Sequence, residues 1–143
     1  MRKITEFIRD TETELLFNHS SRVYAFAALA GRQRGLKFDH ELLYAGSMFH
    51  DLGLMPAFSS TTDRFEVDGA NASRTFLEQH GIGAAEMDQV WTAIALHTTP
   101  GKPTLRIFML HREHGERLLL AAAAQQANPA HAVDTSGNLP YLL

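Results

Sequence analysis

Apolar residues recur at spacings of three and four along almost the whole chain, and this periodicity limits the fold more than any other feature of the sequence. Such spacing lines one face of an α-helix, whereas a half-buried strand needs an apolar residue at every second position. No alternating segment of convincing length is present. The sequence therefore predicts an all-α protein, a bundle of five or more helices.

The first predicted helix covers residues 11–34, and Gly35 follows it as a stop signal. The second begins after Asp39, a good N-cap, and ends at Gly53. Its apolar residues lie on most sides, so we expect it to be central and buried. We expect the first helix to pack into the core through the face that carries Leu15, Leu16, Val23 and Phe26. The remaining predicted helices cover residues 66–80, 84–97 and 104–126.

The composition places limits on the class of protein. With 143 residues, 45% of them apolar, we expect one domain over residues 1–143. The net charge of −3 indicates neither a nucleic-acid partner nor an anionic membrane surface. The absence of cysteine excludes disulfides and thiolate metal ligands. No apolar run approaches the roughly 20 residues of a membrane span, and no signal-peptide pattern is visible, so we expect a cytoplasmic protein.

His50 and Asp51 are adjacent at the predicted end of the buried second helix. A carboxylate beside a buried imidazole needs a compensating positive charge, which a divalent cation supplies. His19 comes opposite His50 if the first two helices are antiparallel and joined by the turn at residues 31–38. Each residue alone has an ordinary structural interpretation, such as a hydrogen-bonded core histidine. Together the three predict a catalytic metal centre, because two imidazoles and one carboxylate leave open positions for water.

Several ordered motifs resemble a known superfamily. Residues 18–24 (NHSSRVY), 41–44 (ELLY) and 49–54 (FHDLGL) resemble the HD superfamily of metal-dependent hydrolases. Residues 64–70 (RFEVDGA) and 93–101 (AIALHTTPG) are similar to its cyanamide-hydratase-like branch. The resemblance therefore extends from the first predicted helix to the end of the fourth.

The resemblance implies an HD-domain helical bundle with one divalent transition metal, zinc being the expected ion and iron, manganese or nickel the alternatives. His19, His50 and Asp51 are the implied protein ligands, and an aspartate on a late helix completes the family pattern. The implied substrate is a small molecule, since cyanamide hydratases add water across a nitrile to form urea. A water activated by the metal would attack the nitrile carbon.

Further residues are candidates for the chemistry. An imidazole titrates near neutral pH, so His97, at the end of its predicted helix, is a candidate for proton transfer, or else a cap on the last helical turn. Glu66 and Asp68 lie beside Arg64 near the start of their helix. They are candidates to orient the ligands, or else carboxylates that satisfy free N-terminal amides. His80 is interpreted mainly as a helix C-terminal residue.

After Gly101 the resemblance stops, and residues 102–143 depart from the family pattern. The only aspartate there is Asp134, in a segment predicted to be a loop. Three interpretations stay open: the C-terminal segment is unrelated to the family, Asp134 reaches the site from its loop, or another side chain replaces the missing ligand. In the first case a packing helix is missing, and an exposed apolar face favours a homodimer. The candidates for a replacement ligand are His111, His114 and Glu116.

These observations leave three classes of function. The leading prediction is a metal-dependent hydratase or hydrolase of a cyanamide-like nitrile. The second is a phosphohydrolase of a nucleotide or another phosphomonoester, because Arg22 is three residues after His19 and faces roughly the same side of its helix. A solvated helix arginine is an equally good interpretation of that residue. The third class is a non-catalytic helical module that has lost its activity but kept the fold.

Overall fold

The computed structural model describes residues 1–99, which form five α-helices, one 3-10 helix and no strand. The prediction of an all-α fold is confirmed. Within these residues no helix combines the length and the apolar character that a membrane crossing demands. The predicted helix at residues 104–126 lies outside the described residues. The α-helices are α1 (Arg2–Thr11), α2 (Glu14–Gln33), α3 (His40–Phe49), α4 (Phe65–Gln79) and α5 (Ala84–Ala95), and the 3-10 helix is Leu52–Leu54.

The first 34 residues contain two helices, α1 and α2, whereas the apolar spacing predicts a single helix over residues 11–34. Glu12 and Thr13 have extended backbones, with ψ angles of 158° and 155°, and so interrupt the helical path. Thr13 then caps α2, because its side chain accepts a hydrogen bond from a backbone N–H of the first turn. Ile4 and Ile8 lie one helical turn apart and bury α1 in the core. The predicted start of the long helix at residue 11 is therefore wrong.

Helix α2 packs on α3 through a narrow face of small residues. Gly31 lies against the ring of Phe38, since a Cβ on this glycine would be 2.6 Å from a ring carbon. Leu15 and Phe26, which the spacing predicts in the core, are 77% and 57% exposed within the described part of the chain. The prediction for these two is wrong because the face that allows the closest approach of the helices carries the small side chains. The buried residues of α2 are Ser20, Val23, Ala27, Ala28 and Gly31.

Helix α3 is the central element and packs against the other four α-helices. The Asp39 carboxylate caps its start by accepting hydrogen bonds from two backbone N–H groups, at 2.8 and 3.1 Å. Seven of the ten residues of α3 are buried, which confirms its predicted central position. The helix ends at Phe49 rather than at Gly53, where the sequence places its end, and the 3-10 helix follows. His50 and Asp51 lie between the two.

Helices α4 and α5 form an antiparallel hairpin and agree with their predicted bounds to within two residues. The Arg64 guanidinium donates to the carbonyl of Ala95 at 3.1 Å, and the Trp91 indole donates to the side-chain oxygen of Asn71 at 2.9 Å. Gly81, with a φ angle of 73°, ends α4 as predicted, because the left-handed region favours glycine. The hairpin brings the residues that follow α5 next to the start of α4.

Two glycines hold the 3-10 helix and the end of α3 against α4. A Cβ on Gly53 would overlap the backbone carbonyl of Phe65 and would lie 2.9 Å from the backbone nitrogen of Gly69. A Cβ on Gly69 would lie 2.8 Å from the carbonyl oxygen of Phe49. Since these neighbours are backbone atoms, which cannot move away cheaply, the contact requires glycine. It fixes the turn after α3 against α4.

The variant Gly53→Ala is expected to lower the free energy of unfolding by about 2–3 kcal/mol, because the added Cβ meets backbone that cannot yield. Thermal unfolding followed by circular dichroism measures the effect, and we expect a fall in Tm of about 10 °C. Gly83→Ala is the matched control, since its Cβ would meet only the flexible end of the Glu86 side chain. Equal stability of the two variants would contradict the close approach.

Candidate metal centre

The carboxylate of Asp51 lies at the centre of a group of three histidines. Its Oδ2 atom is 3.1 Å from Nε2 of His50 and 3.5 Å from Nε2 of His19. Its Oδ1 atom is 3.5 Å from Nε2 of His97. These histidines come from α2, from the turn after α3 and from the segment after α5. Three parts of the chain therefore direct imidazole rings at one carboxylate.

Backbone carbonyl groups set the orientation of two of these rings. Nδ1 of His50 is 2.8 Å from the carbonyl oxygen of Ser47, and Nδ1 of His97 is 2.7 Å from that of Ile94. Because a carbonyl oxygen can only accept, each Nδ1 carries a hydrogen, and Nε2 is left to face the aspartate. Histidines that ligate metals are held in this way, since the bond fixes the tautomer and makes the other nitrogen more basic.

The adjacent side chains of His50 and Asp51 converge because the chain leaves α-helical geometry between them. Successive side chains on an α-helix point about 100° apart and do not share a target. His50 is still helical, at φ −61° and ψ −34°, whereas Asp51 has φ −107° and ψ 5°. The end of α3 is therefore what allows neighbouring residues to serve one site.

One ligand atom from each of His19, His50 and Asp51 lies within 4.8 Å of the others. Two ligands that bind zinc tetrahedrally at about 2.1 Å are about 3.4 Å apart. The distances of 3.1 and 3.5 Å from the Asp51 oxygen to the two Nε2 atoms match that separation. Neutral imidazole nitrogens that face a carboxylate also need a cation or a proton between them. The donor set thus fits a divalent metal, and the structure brings together the three side chains that the sequence predicts as ligands.

The group is enclosed on one side and open on the other. The side chain of His50 is 5% exposed and that of Asp51 is 15% exposed. The side chain of His19 is 42% exposed, so the group meets solvent on the α2 side. Among the described residues, the group is therefore open to solvent at His19 and enclosed at the buried end of α3.

The charges of the group favour forms that bind a metal. Burial alone would raise the pKa of Asp51, but in the metal-free chain the protonated forms of His50 and His97 donate hydrogen bonds to it and add positive charge, and these effects hold the pKa well below its usual range. Burial lowers the pKa of His19, and the positive charge of His50 lowers it further against the opposing effect of Asp51. An anionic aspartate and a neutral imidazole are the forms that coordinate a cation.

His97 and Glu66, both predicted to take part in the chemistry, lie beside the group. The His97 side chain is 7% exposed, and its ring centroid is 5.2 Å from that of His50. Glu66 accepts a hydrogen bond from the hydroxyl of Thr98 and lies 3.9 Å from a guanidinium nitrogen of Arg64. Burial alone would raise the pKa of Glu66, but the Thr98 hydrogen bond and the charges of Arg64 and His97 lower it. Glu66 is therefore an anion behind His97.

Asp68, also predicted to take part in the chemistry, lies elsewhere. Its Oδ2 atom accepts a hydrogen bond of 2.7 Å from the backbone N–H of Ser60, and it lines a cavity of about 440 Å³ with several aromatic rings. Its contacts give no support to a catalytic role. His80 stacks on Phe76 and holds that residue's carbonyl at 2.7 Å, as a helix C-terminal residue does. The candidate fourth ligands Asp134, His111, His114 and Glu116 lie outside the described residues.

Sequence reasoning missed Glu12, which is only 8% exposed. Within residues 1–99 neither oxygen of its carboxylate has a hydrogen-bond partner, and the neighbouring hydroxyl of Ser20 has none either. Burial and the negative charge of Asp51 raise the pKa of Glu12 to about 8. The signal that could have found it is Thr13, an N-cap residue that places the preceding residue at a junction of two helices.

A family model for the HD domain matches residues 16–133, more than half of the chain. The chain belongs to the HD-domain family. HD domains are generally metal-dependent hydrolases and bind divalent metals, in agreement with the group around Asp51. Comparison with curated proteins and with solved structures found no significant match. The family match shows the superfamily, not the cyanamide-hydratase-like branch.

The metal-free HD domain is expected to lose stability as the pH rises from about 5 to 9. The pKa of Glu12 is raised from its ordinary 4.5 to about 8, so the folded state binds the extra proton, and the resulting stability is lost as the pH passes through 8. Glu12→Gln removes this part of the slope, whereas Glu14→Gln, two residues away and exposed, keeps it. Tm values measured in a chelating buffer test this, and identical slopes for all three proteins would refute it.

Proposed function

We propose that this HD domain holds one divalent transition metal through His19, His50 and Asp51 and adds water to a small molecule. The observation that carries the proposal is the convergence of three ligand atoms within 4.8 Å. Three protein ligands leave positions for water and substrate, as a catalytic site requires. The exposed edge of His19 supplies the access. Zinc is the ion that we expect, because borderline nitrogen and carboxylate ligands suit it, as they also suit iron, manganese and nickel.

When bound, the cation would polarise a coordinated water so that it ionises near neutral pH. The residues of the chain orient the ligands and supply the proton. Asp51 remains anionic, and the carbonyl of Ser47 keeps the His50 ring aimed at the metal position. His97, held by the carbonyl of Ile94, presents Nε2 to the same space and is our candidate to deliver a proton. Glu66 supplies a negative charge behind His97.

We propose a nitrile of the cyanamide class as the substrate. Water adds its oxygen to the nitrile carbon, and the nitrogen must gain a proton as the carbon–nitrogen π bond breaks, so that cyanamide and water together become urea. A buried proton donor beside the metal ligands is the group that this addition needs, and His97 occupies that place. The similarity of residues 64–70 and 93–101 to the cyanamide-hydratase-like branch supports the same class.

A phosphomonoester is the second candidate substrate, and Arg22 is the observation that favours it. Arg22 is exposed one turn along α2 from His19, and its positive charge contributes to lowering the pKa of His19. A guanidinium at the open edge of a metal site can bind a phosphate through two hydrogen bonds. Addition of water to a neutral nitrile does not require this positive charge. Replacement of Arg22 should therefore affect phosphomonoester hydrolysis and not nitrile hydration.

Metal content tests the site itself. The purified protein is expected to hold about one divalent cation per chain by elemental analysis, and His50→Ala to lose it, with an affinity at least about 100-fold lower. His80→Ala is the matched control, because His80 has no contact with the group around Asp51. Equal metal content in His50→Ala and the wild type would refute the ligand assignment.

Turnover tests the substrate class. With Zn²⁺, Mn²⁺, Fe²⁺ or Ni²⁺ added, we expect the wild type to form urea from cyanamide and to release no phosphate from a panel of phosphomonoesters. Arg22→Gln is expected to leave the rate of urea formation within about twofold, because Arg22 lies outside the group that binds the metal. Phosphate release that falls about tenfold or more in Arg22→Gln would instead establish the phosphohydrolase. Bound metal without turnover of either class would indicate a non-catalytic module.

A further inference from the structure

We propose that Glu12 is a second carboxylate of the metal centre, a positioning residue whose charge strengthens binding of the cation beside Asp51. This inference rests on the proposed metal function and adds a residue to it. Glu12 precedes residues 16–133, the part of the chain that matches the HD family. The contribution would therefore come from a segment outside the matched domain.

The junction between α1 and α2 holds Glu12 in place from both sides. Its backbone N–H donates to the carbonyl of Ile8 at 2.8 Å and so ends α1. The next residue, Thr13, caps α2. With ψ at 158° the chain turns sharply here, and the side chain of Glu12 is buried although the residues around it, Thr13 and Glu14, are exposed. The inward direction is thus built into the junction.

The surroundings of Glu12 give its charge no ion pair among the described residues, and only the nearby hydroxyl of Ser20 favours the ionised form. Both carboxylate oxygens are buried without a hydrogen-bond partner among residues 1–99, and no lysine, arginine or histidine of that part forms an ion pair with it. Burial of an ionised carboxylate costs several kcal/mol unless a positive charge lies near it. The carboxyl group of Glu12 is therefore either protonated and neutral, or ionised with a cation close to it.

The location of Glu12 favours the cation. Its neighbours include the negative charge of Asp51 and the hydroxyl of Ser20, and Ser20 directly follows the ligand His19 on α2. Without a metal the two carboxylates repel each other, and this repulsion contributes to the raised pKa of Glu12. A divalent cation held next to Asp51 turns that repulsion into attraction. Glu12 is not one of the three residues whose ligand atoms lie within 4.8 Å of one another, so it acts from behind the ligands.

The test compares the zinc affinity of the full-length chain and its variants by competition with a chelator. We expect Glu12→Gln to bind Zn²⁺ about 10–100-fold more weakly than the wild type, as removal of a group behind the ligands does. Its metal-free form should unfold at the same or a higher temperature, because folding no longer requires the carboxylate to take up a proton or to be buried as an anion. Glu14→Gln, the exposed neighbour, is expected to change neither quantity. Glu12→Asp, which keeps the charge, should recover part of the affinity.

The outcomes separate this inference from the proposed function. If the wild type binds Zn²⁺ and Glu12→Gln binds it equally well, Glu12 is only a buried neutral acid and the inference fails alone. If the wild type binds no divalent cation, both fail. A lower affinity in Glu12→Gln with an unchanged Glu14→Gln supports the inference. Should Glu12→Gln not fold, Glu12→Met decides, because it removes the charge at similar size. An affinity equal to that of the wild type would overturn the proposal, and a loss of more than about threefold would support it.

Discussion

The cost of burying the carboxylate of Asp51 is the constraint on which the rest of the site depends. An anion in the interior needs positive charge close to it, and here three imidazole nitrogens lie 3.1 to 3.5 Å away, close enough to share a proton or a cation with the carboxylate. Each histidine comes from a different segment, because a single helix directs side chains at a point from one side only. The pairing of α2 with α3 and the hairpin of α4 and α5 are the two packing arrangements that bring these segments together.

Apart from His19, which lies within α2, the residues of the site are at the ends of helices. His50 and Asp51 follow α3, His97 follows α5, and Glu12 lies between α1 and α2. A residue at a helix end leaves the regular angular spacing, and the carbonyls of the last turn are free to accept hydrogen bonds from side chains. The carbonyls that hold His50 and His97 belong to the last turns of α3 and α5, so the same geometry that ends each helix also orients its histidine.

The sequence predicts the class of fold, the central helix and the side chains that meet around Asp51, because each depends on a local signal: apolar period, an N-cap aspartate or a motif. It fails where two local signals compete. The apolar spacing places Glu12 and Thr13 in the first turn of the predicted helix, but Thr13 is an N-cap, so α2 begins at Glu14 and α1 is a separate helix before it. The apolar spacing also predicts that Phe26 is on a helix, but it does not predict which face of that helix packs against α3. That choice depends on the small residues of α2, whose close fit to α3 is a property of the pair.

The sequence analysis did not predict the break between α1 and α2, and for this reason it also missed the buried Glu12 at that break. A glutamate in the first turn of an exposed helix, where the sequence places Glu12, is an ordinary solvated residue, whereas the same glutamate at a junction of two helices can be buried. Burial then changes its chemistry, since the carboxylate must lose its charge or share a cation with Asp51. Two carboxylates kept in one interior region lower the stability of the metal-free chain. Such an arrangement persists when a bound cation makes both of them favourable, so folding and metal binding should be coupled in this protein.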